Sequence, residues 1–122
     1  MKRILIADDE VDALRFLEKG LKRKNYYVTA VATAEEVIKV AAGDKPDLFI
    51  LDIAMPGMDG FTLAENLRKS RKLKDIPVIF ITGKELLPKA IQDLCDKAGA
   101  SDYIMKPCSL QDIVGKIEAV LG

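Results

Sequence analysis

The stretch Leu48-Phe49-Ile50-Leu51-Asp52 decides how this chain of 122 residues folds, because an unbroken apolar run ends there on a carboxylate. An apolar run without alternation is typical of a strand that is covered on both faces, as in parallel sheets flanked by helices. Similar runs lie before and after it, at Ile4 to Ala7 and at Val78 to Ile81. These runs predict the central strands of a parallel sheet.

Two shorter and more mixed segments predict further strands at or near the sheet edges, at Tyr27 to Val31 and at Tyr103 to Met105. Between the strands, apolar residues recur at helical spacing from Leu14 to Leu21, from Leu87 to Ala98 and from Leu110 to Leu121. This alternation of strands and helices predicts a doubly wound α/β sheet with right-handed crossovers.

Local signals predict where two of the helices begin. Thr33-Ala34-Glu35-Glu36 has the form of a capping box, which marks a helix start. Pro88 fits a helix only in its first turn, so the helix that stops at Gly99 should begin late.

The bulk composition narrows the possible functions. Lys plus Arg and Asp plus Glu each number 19, so no net charge draws the protein to nucleic acid or to an anionic membrane. Histidine is absent from the sequence, and a metal would therefore be held by oxygen ligands. Cys95 and Cys108 do not form a C-x-x-C motif, and we expect them to be reduced packing residues.

The length and the 49% share of hydrophobic residues predict a single domain over residues 1–122. We expect any output module to be another protein. The apolar run after the basic N-terminus, Ile4 to Ala7, is too short for a signal peptide or a membrane span. We therefore expect a cytoplasmic protein.

Polar residues follow the apolar runs of the predicted strands, namely Asp8, Asp9, Asp52, Thr82 and Lys106. In doubly wound sheets, ligands bind at the carboxyl ends of the strands, so these side chains should face one crevice. Asp8 and Asp9 could instead only cap the first helix. Carboxylates about 4 Å apart repel by several kcal/mol at an effective dielectric constant near 20, and a cation relieves this repulsion. Oxygen ligands favour Mg²⁺.

Four motifs together resemble the receiver domains of response regulators in two-component signalling, of the chemotaxis-regulator-like type. They are Asp8-Asp9, Leu51 to Gly60, Ile81-Thr82-Gly83 and Asp102 to Pro107, and the resemblance covers essentially the whole chain. It implies a flavodoxin-like fold with five parallel strands in the order 2-1-3-4-5 and five helices. It also implies a signalling switch in a phosphorelay, a protein that catalyses only its own phosphorylation and slow dephosphorylation.

The same resemblance implies a Mg²⁺ site and a phospho-acceptor. Asp52 corresponds to the residue that accepts the phosphoryl group. Asp9 and Asp52 correspond to direct metal ligands, Asp8 to a residue that acts largely through water, and the carbonyl oxygen of Ala54 to a further ligand. A carboxylate can attack phosphorus once the charge on the phosphoryl oxygens is neutralised, which agrees with these roles.

The resemblance also implies a switch and its partners. Thr82 and Lys106 would grip the phosphoryl group, and Tyr103 would turn inward when Thr82 moves toward it. A cis peptide at Lys106-Pro107 would aim the amine into the crevice. The phosphodonor would be a histidine kinase or a phosphotransfer protein. A downstream protein would dock on the fourth helix, fifth strand and fifth helix, with the chain a monomer or a phosphorylation-dependent dimer.

Other classes of protein fit the sequence less well. A haloacid-dehalogenase-type phosphatase needs a second acid two residues after its nucleophile, where this chain has Ala54. A flavodoxin-like nucleotide binder would carry glycine or hydroxyl residues after the first strand, where Asp8-Asp9-Glu10 would repel a phosphate. A receiver-shaped interaction module that is never phosphorylated remains an alternative.

Two positions predict a long-lived phosphorylated state. Ala54 has no polar side-chain atom, and the ammonium of Lys84 has donors but no acceptor. Neither side chain could orient a water molecule for attack on the phosphorylated aspartate, so spontaneous hydrolysis should be slow.

Overall fold

A computed structural model, which describes residues 1–83 and 88–122, contains alternating strands and helices throughout. The strands are β1 (Arg3–Ala7), β2 (Tyr27–Val31), β3 (Leu48–Asp52), β4 (Val78–Thr82) and β5 (Asp102–Met105). The helices are α1 (Val11–Arg23), α2 (Ala34–Gly43), α3 (Gly60–Arg68), α4 (Pro88–Ala98) and α5 (Leu110–Leu121).

The strands form one five-stranded sheet in the order β2-β1-β3-β4-β5, and each neighbouring pair is parallel. Every residue of β3 is buried, as is every residue of β4. The mixed segments β2 and β5 lie at the two edges of the sheet, which confirms the prediction from their composition. The fold predicted from the sequence is therefore confirmed, including the strand order implied by the resemblance.

Helices cover both faces of the sheet, and β3 contributes to both layers of the core. Phe49 and Leu51 pack with α2, α3 and α4 on one face. Leu48 and Ile50 pack with α1 and α5 on the other. Alternate side chains of a strand point to opposite faces, so an uninterrupted apolar run is what a strand between two helical layers requires.

The strands β3 and β4 each extend one residue beyond their apolar run. Asp52 and Thr82 are consequently the last residues of these strands, and both side chains are buried. The described part of α4 starts at Pro88, and the helix is followed by Gly99 at a φ of +69°, which confirms its predicted end. Leu87, which its spacing places in the same apolar stripe, lies outside the described residues.

The periodicity of the sequence did not place α3, because the turn-forming residues before it run directly into the helix. Its N-cap is Asp59, whose side chain accepts a hydrogen bond of 2.7 Å from the backbone N–H of Thr62. The predicted start of α2 is confirmed, since the side chain of Thr33 accepts from the backbone N–H of Glu36.

We predict that the capping box of α5 contributes measurably to stability. Ser109 Oγ accepts from the backbone N–H of Asp112 at 3.0 Å, and Asp112 Oδ2 accepts from that of Ser109 at 3.3 Å. Ser109→Ala removes the Oγ acceptor and leaves the backbone N–H of Asp112 without this bond, so it should lower the free energy of unfolding by about 1 kcal/mol in urea denaturation. The control is Ser101→Ala at an exposed turn position, which should stay within about 0.5 kcal/mol of wild type. Equal losses in the two variants would contradict the role of the cap.

Candidate functional site at the carboxyl edge of the sheet

Polar side chains from four strands meet at the carboxyl edge of the sheet. Asp8 follows β1, Asp52 ends β3, Thr82 ends β4 and Lys106 follows β5. Within residues 1–83 and 88–122, the buried polar side chains are Asp8, Asp52 and Thr82, which are at most 2% exposed. Neighbouring parallel strands bring these residues together although they are far apart in sequence, as the sequence analysis predicted.

The ammonium of Lys106 lies among three carboxylates. Its Nζ atom is 2.7 Å from Asp8 Oδ2, 3.0 Å from Glu10 Oε1 and 3.2 Å from Asp52 Oδ2. The Lys106 side chain is only 13% exposed. The Lys106-Pro107 peptide is cis, as predicted, and the amine does point at Asp52. Lys106 is therefore a member of the site and not a solvent-facing lysine.

This arrangement changes the proton affinity of two groups. Burial, together with the nearby carboxylate of Asp8, raises the pKa of Asp52 from 3.8 to about 6, although the backbone N–H of Ala54 and the charge of Lys106 act in the opposite direction. Burial disfavours the charged form of Lys106, but its close contacts with the carboxylates of Asp8 and Glu10 and the charge of Asp52 outweigh burial and raise its pKa. The amine is therefore cationic at neutral pH.

One oxygen of Asp8 is left without a hydrogen-bond donor. Asp8 Oδ1 accepts from the backbone N–H of Glu10 at 2.9 Å, which fixes the orientation of the carboxylate. Asp8 Oδ2 is fully buried and forms a close ion pair with Lys106, but the angles are not those of a hydrogen bond, and it has no such partner in the described part of the chain. A buried carboxylate oxygen that has no hydrogen-bond donor can still bind a cation.

The group of converging acids differs from the one implied by the resemblance. Carboxylate oxygens of Asp8, Glu10 and Asp52 all lie within 4.8 Å of one another. Asp9 is exposed and does not belong to this group. The sequence did not identify Glu10 as a site residue. The one feature that could have indicated it is that Glu10 continues the acidic run after β1. The assignment of Asp9 as a metal ligand stays a prediction.

The loop between β3 and α3 fixes the backbone around Asp52. Asp52 Oδ1 accepts from the backbone N–H of Ala54 at 2.9 Å, and the N–H of Gly60 donates to the carbonyl oxygen of Ile53 at 3.0 Å. A Cβ atom at Gly60 would collide with the carbonyl oxygen of Asp52. Glycine is therefore required at this position, because the loop returns directly onto the end of β3. Met55, in the same loop, is buried in the core.

Three further residues named from the sequence, Tyr103, Cys95 and Cys108, lie in the described part of the chain. Tyr103 is half-buried and packs beside the core layer formed with α2, α3 and α4. Cys108 is half-buried and Cys95 is buried, and both are free thiols. Lys84, the second residue of the lifetime prediction, lies outside the described residues. None of the described helices combines the length and the apolar character that crossing a membrane requires.

The order of the strands defines a flavodoxin-like α/β protein, and the acids at the carboxyl ends of its strands form a crevice that could hold a metal ion. The family model of the response regulator receiver domain matches residues 4–118. The chain belongs to this family, whose members are signalling proteins of two-component systems that act as phosphorylation switches.

Individual relatives agree with this family. The transcriptional regulatory protein RprY of Bacteroides fragilis is 36% identical over 119 residues, which cover 98% of this chain and 49% of that protein. The alkaline phosphatase synthesis transcriptional regulatory protein PhoP of Bacillus subtilis is 32% identical over 120 residues, which cover 98% of this chain and 48% of that protein. The chain thus spans about half the length of the curated relatives it matches.

A solved structure shows the same fold over nearly the same length. The CheY-like response regulator receiver domain protein of Methanospirillum hungatei aligns with a TM-score of 0.88 and 34% identity, and the alignment covers 99% of this chain and 94% of that one. The similarity extends over all strands that carry the residues of the crevice.

We predict that charging Asp52 opposes folding. Since its pKa is raised from 3.8 to about 6 in the folded protein, the unfolded chain releases the proton first as the pH rises. Stability from this group is therefore lost between about pH 4 and about pH 6, and the loss is complete above that range. As the pH rises through this interval without added divalent cations, Asp52→Asn should become more stable relative to wild type. We expect a gain of roughly 1–3 kcal/mol in urea denaturation. Asp59→Asn is the control, and a pH-independent difference for Asp52→Asn would count against the raised pKa.

Proposed function

We propose that Asp52 accepts a phosphoryl group in a Mg²⁺-dependent reaction and that this event switches the protein between two states. The observation that carries the proposal is the geometry at the end of β3, where the buried carboxylate of Asp52 faces the ammonium of Lys106 at 3.2 Å. Membership of the receiver family supports the same role.

The donor set fits a hard divalent cation. It consists of carboxylate oxygens from Asp8, Glu10 and Asp52, and in the described part of the chain the buried Asp8 Oδ2 atom has an ion pair with Lys106 but no hydrogen-bond donor. Carboxylate and carbonyl oxygens suit Mg²⁺ and do not suit soft metals. Asp9 and the carbonyl oxygen of Ala54 are proposed as further ligands by resemblance. When bound, Mg²⁺ would neutralise negative charge on the phosphoryl oxygens.

The residues of the chain supply the nucleophile and a fixed positive charge. Asp52 Oδ1 is held by the backbone N–H of Ala54, so we assign the attack on phosphorus to Oδ2, the oxygen that faces Lys106. The new P–O bond forms as the bond between phosphorus and the donor's leaving atom breaks, and the leaving group takes a proton from solvent. The Lys106 ammonium can then bind the transferred oxygens, because its raised pKa keeps it charged.

The donor and the receiving partner are proposed from the chemistry of the site and from the family. The sequence contains no histidine, so a phosphohistidine donor must lie in a histidine kinase or phosphotransfer protein outside it. We propose that the acceptor acts as a single domain over residues 1–122 in the cytoplasm. It is proposed to act as a monomer or as a phosphorylation-dependent dimer, without direct contact to nucleic acid or membrane.

The switch is proposed to run from Thr82 to Tyr103. Thr82 is buried at the end of β4, and its carbonyl oxygen accepts from the backbone N–H of Lys106 at 2.8 Å, which couples the two strand ends. A hydroxyl that turns toward the phosphoryl oxygens would vacate space that the half-buried ring of Tyr103 can enter. The face formed by α4, β5 and α5 would change with it and would bind the downstream protein.

The phosphorylated state is proposed to hydrolyse slowly. The side chain of Ala54 is a methyl group, which cannot accept a proton from an attacking water molecule. A phosphatase of the haloacid-dehalogenase type would need an acid at position 54, so Ala54 also argues against that class of enzyme.

We predict that Asp52 is the acceptor. Asp52→Asn should abolish labelling by a small phosphodonor or a partner kinase in the presence of Mg²⁺, because the amide cannot form an acyl phosphate. Asp59→Asn is the matched control, since this exposed acid lies in the same loop and asparagine is an equally good N-cap. Full labelling of Asp52→Asn would disprove the assignment, and an unlabelled wild type would favour the unphosphorylated interaction module.

We predict that Mg²⁺ stabilises the fold through the acids of the crevice. A ligand that binds only the native state adds RT ln(1 + [L]/Kd), about 2.7 kcal/mol at a hundredfold excess over Kd. The melting temperature of wild type should rise with Mg²⁺, and Asp9→Asn should flatten this response. Glu10→Gln is measured in parallel, because the structure places Glu10 in the acidic group. A flat response in Glu10→Gln with a normal one in Asp9→Asn would contradict the ligand role of Asp9, and no response in wild type would contradict the site.

A further inference from the structure

Asp102, the first residue of β5, links the elements that surround Tyr103. Asp102 Oδ1 accepts from the backbone N–H of Tyr103 at 2.8 Å, and Asp102 Oδ2 accepts from the Lys116 ammonium of α5 at 3.0 Å. Its carbonyl oxygen accepts from Cys95 Sγ of α4 at 3.9 Å. One residue therefore connects α4, β5 and α5.

The ammonium of Lys116 also lies over the ring of Tyr103. The distance from Nζ to the ring centroid is 6.0 Å, which is at the outer limit of a cation–π interaction. Asp102 holds the ammonium in this place, because the carboxylate that receives Lys116 also receives the N–H of Tyr103 itself. The backbone of Tyr103 is thereby fixed relative to the cation.

Rotation of the Tyr103 ring would affect the two contacts of the Lys116 ammonium differently. The ion pair between Lys116 and Asp102 does not involve the ring and can persist when the ring moves. The contact between the ammonium and the ring face is lost when the ring leaves its present place. The cation therefore favours the present ring position over any position away from α5. Because the Lys116 side chain is 40% exposed, the preference is modest, about two- to fivefold in population.

We propose that Lys116 is a positioning residue that holds Tyr103 in its present place and so sets how readily the switch responds to phosphorylation. The inference rests on the proposed function, in which the inward movement of Tyr103 accompanies phosphoryl acceptance. Lys116 does not touch the phosphoryl site. If the proposed switch turns the half-buried Tyr103 ring further inward, Lys116 lowers the fraction of molecules in which the ring has already turned.

The test compares Lys116→Met, which removes the charge and keeps a flexible stem, with Lys116→Arg, which retains a cation. Lys19→Met on the exposed side of α1 controls for the loss of one positive charge elsewhere. The first readout is the side-chain rotamer population of Tyr103, measured by NMR couplings in the unphosphorylated protein. The second is the apparent affinity for beryllium trifluoride at saturating Mg²⁺, since this anion forms an analogue of an acyl phosphate on aspartate.

Lys116→Met should shift the Tyr103 rotamer population and tighten beryllium trifluoride binding about two- to fivefold. Lys116→Arg and Lys19→Met should resemble wild type in both readouts. The proposal is overturned if Lys116→Met changes only the melting temperature, since that result shows a purely structural ion pair, or if Lys116→Arg behaves like Lys116→Met. Failure of wild type to bind beryllium trifluoride would reject the proposed function, while the rotamer populations would still decide the role of Lys116.

Discussion

The ion pairs between the Lys106 ammonium and the carboxylates of Asp8, Glu10 and Asp52 organise the carboxyl edge of the sheet. A buried acid costs several kcal/mol unless a cation pairs with it, and two acids side by side cost more. The parallel sheet resolves this problem by bringing an amine from the end of β5 to an acid 54 residues earlier in sequence. In the proposed reaction the same groups would act on the phosphoryl group, Asp52 as the nucleophile and the Lys106 ammonium as a fixed positive charge.

Much of the fold could be predicted because its determinants are local. The unbroken apolar run of β3 indicated a strand between two helical layers, and Thr33 indicated the start of α2. The residues that follow the apolar runs then located the site, because parallel strands place their carboxyl ends at one edge. α3 could not be predicted in this way, because Asp59 and Gly60 are typical of turns as well as of helix starts. The contact of Gly60 with the Asp52 backbone is tertiary and is not visible in the sequence.

The composition of the acidic group could not be predicted for a similar reason. After β1 the chain turns into α1, and the bond from the Glu10 N–H to Asp8 Oδ1 fixes that turn. This geometry directs Glu10 toward Lys106 and leaves Asp9 exposed. Sequence position alone does not distinguish these neighbouring acids. The contact of Lys116 with Tyr103 is likewise invisible in the sequence, because it depends on how α5 packs beside β5.

The central claim is that one carboxylate among several at this edge becomes an acyl phosphate. The most direct measurement is to treat the protein with phosphodonor and Mg²⁺, reduce the product with borohydride and sequence the peptides by mass spectrometry. Borohydride converts an acyl phosphate of aspartate to homoserine, which marks the modified position. The account predicts homoserine at position 52 alone. Homoserine at Asp8, Asp9 or Asp59 in place of Asp52, or at no position, would contradict it.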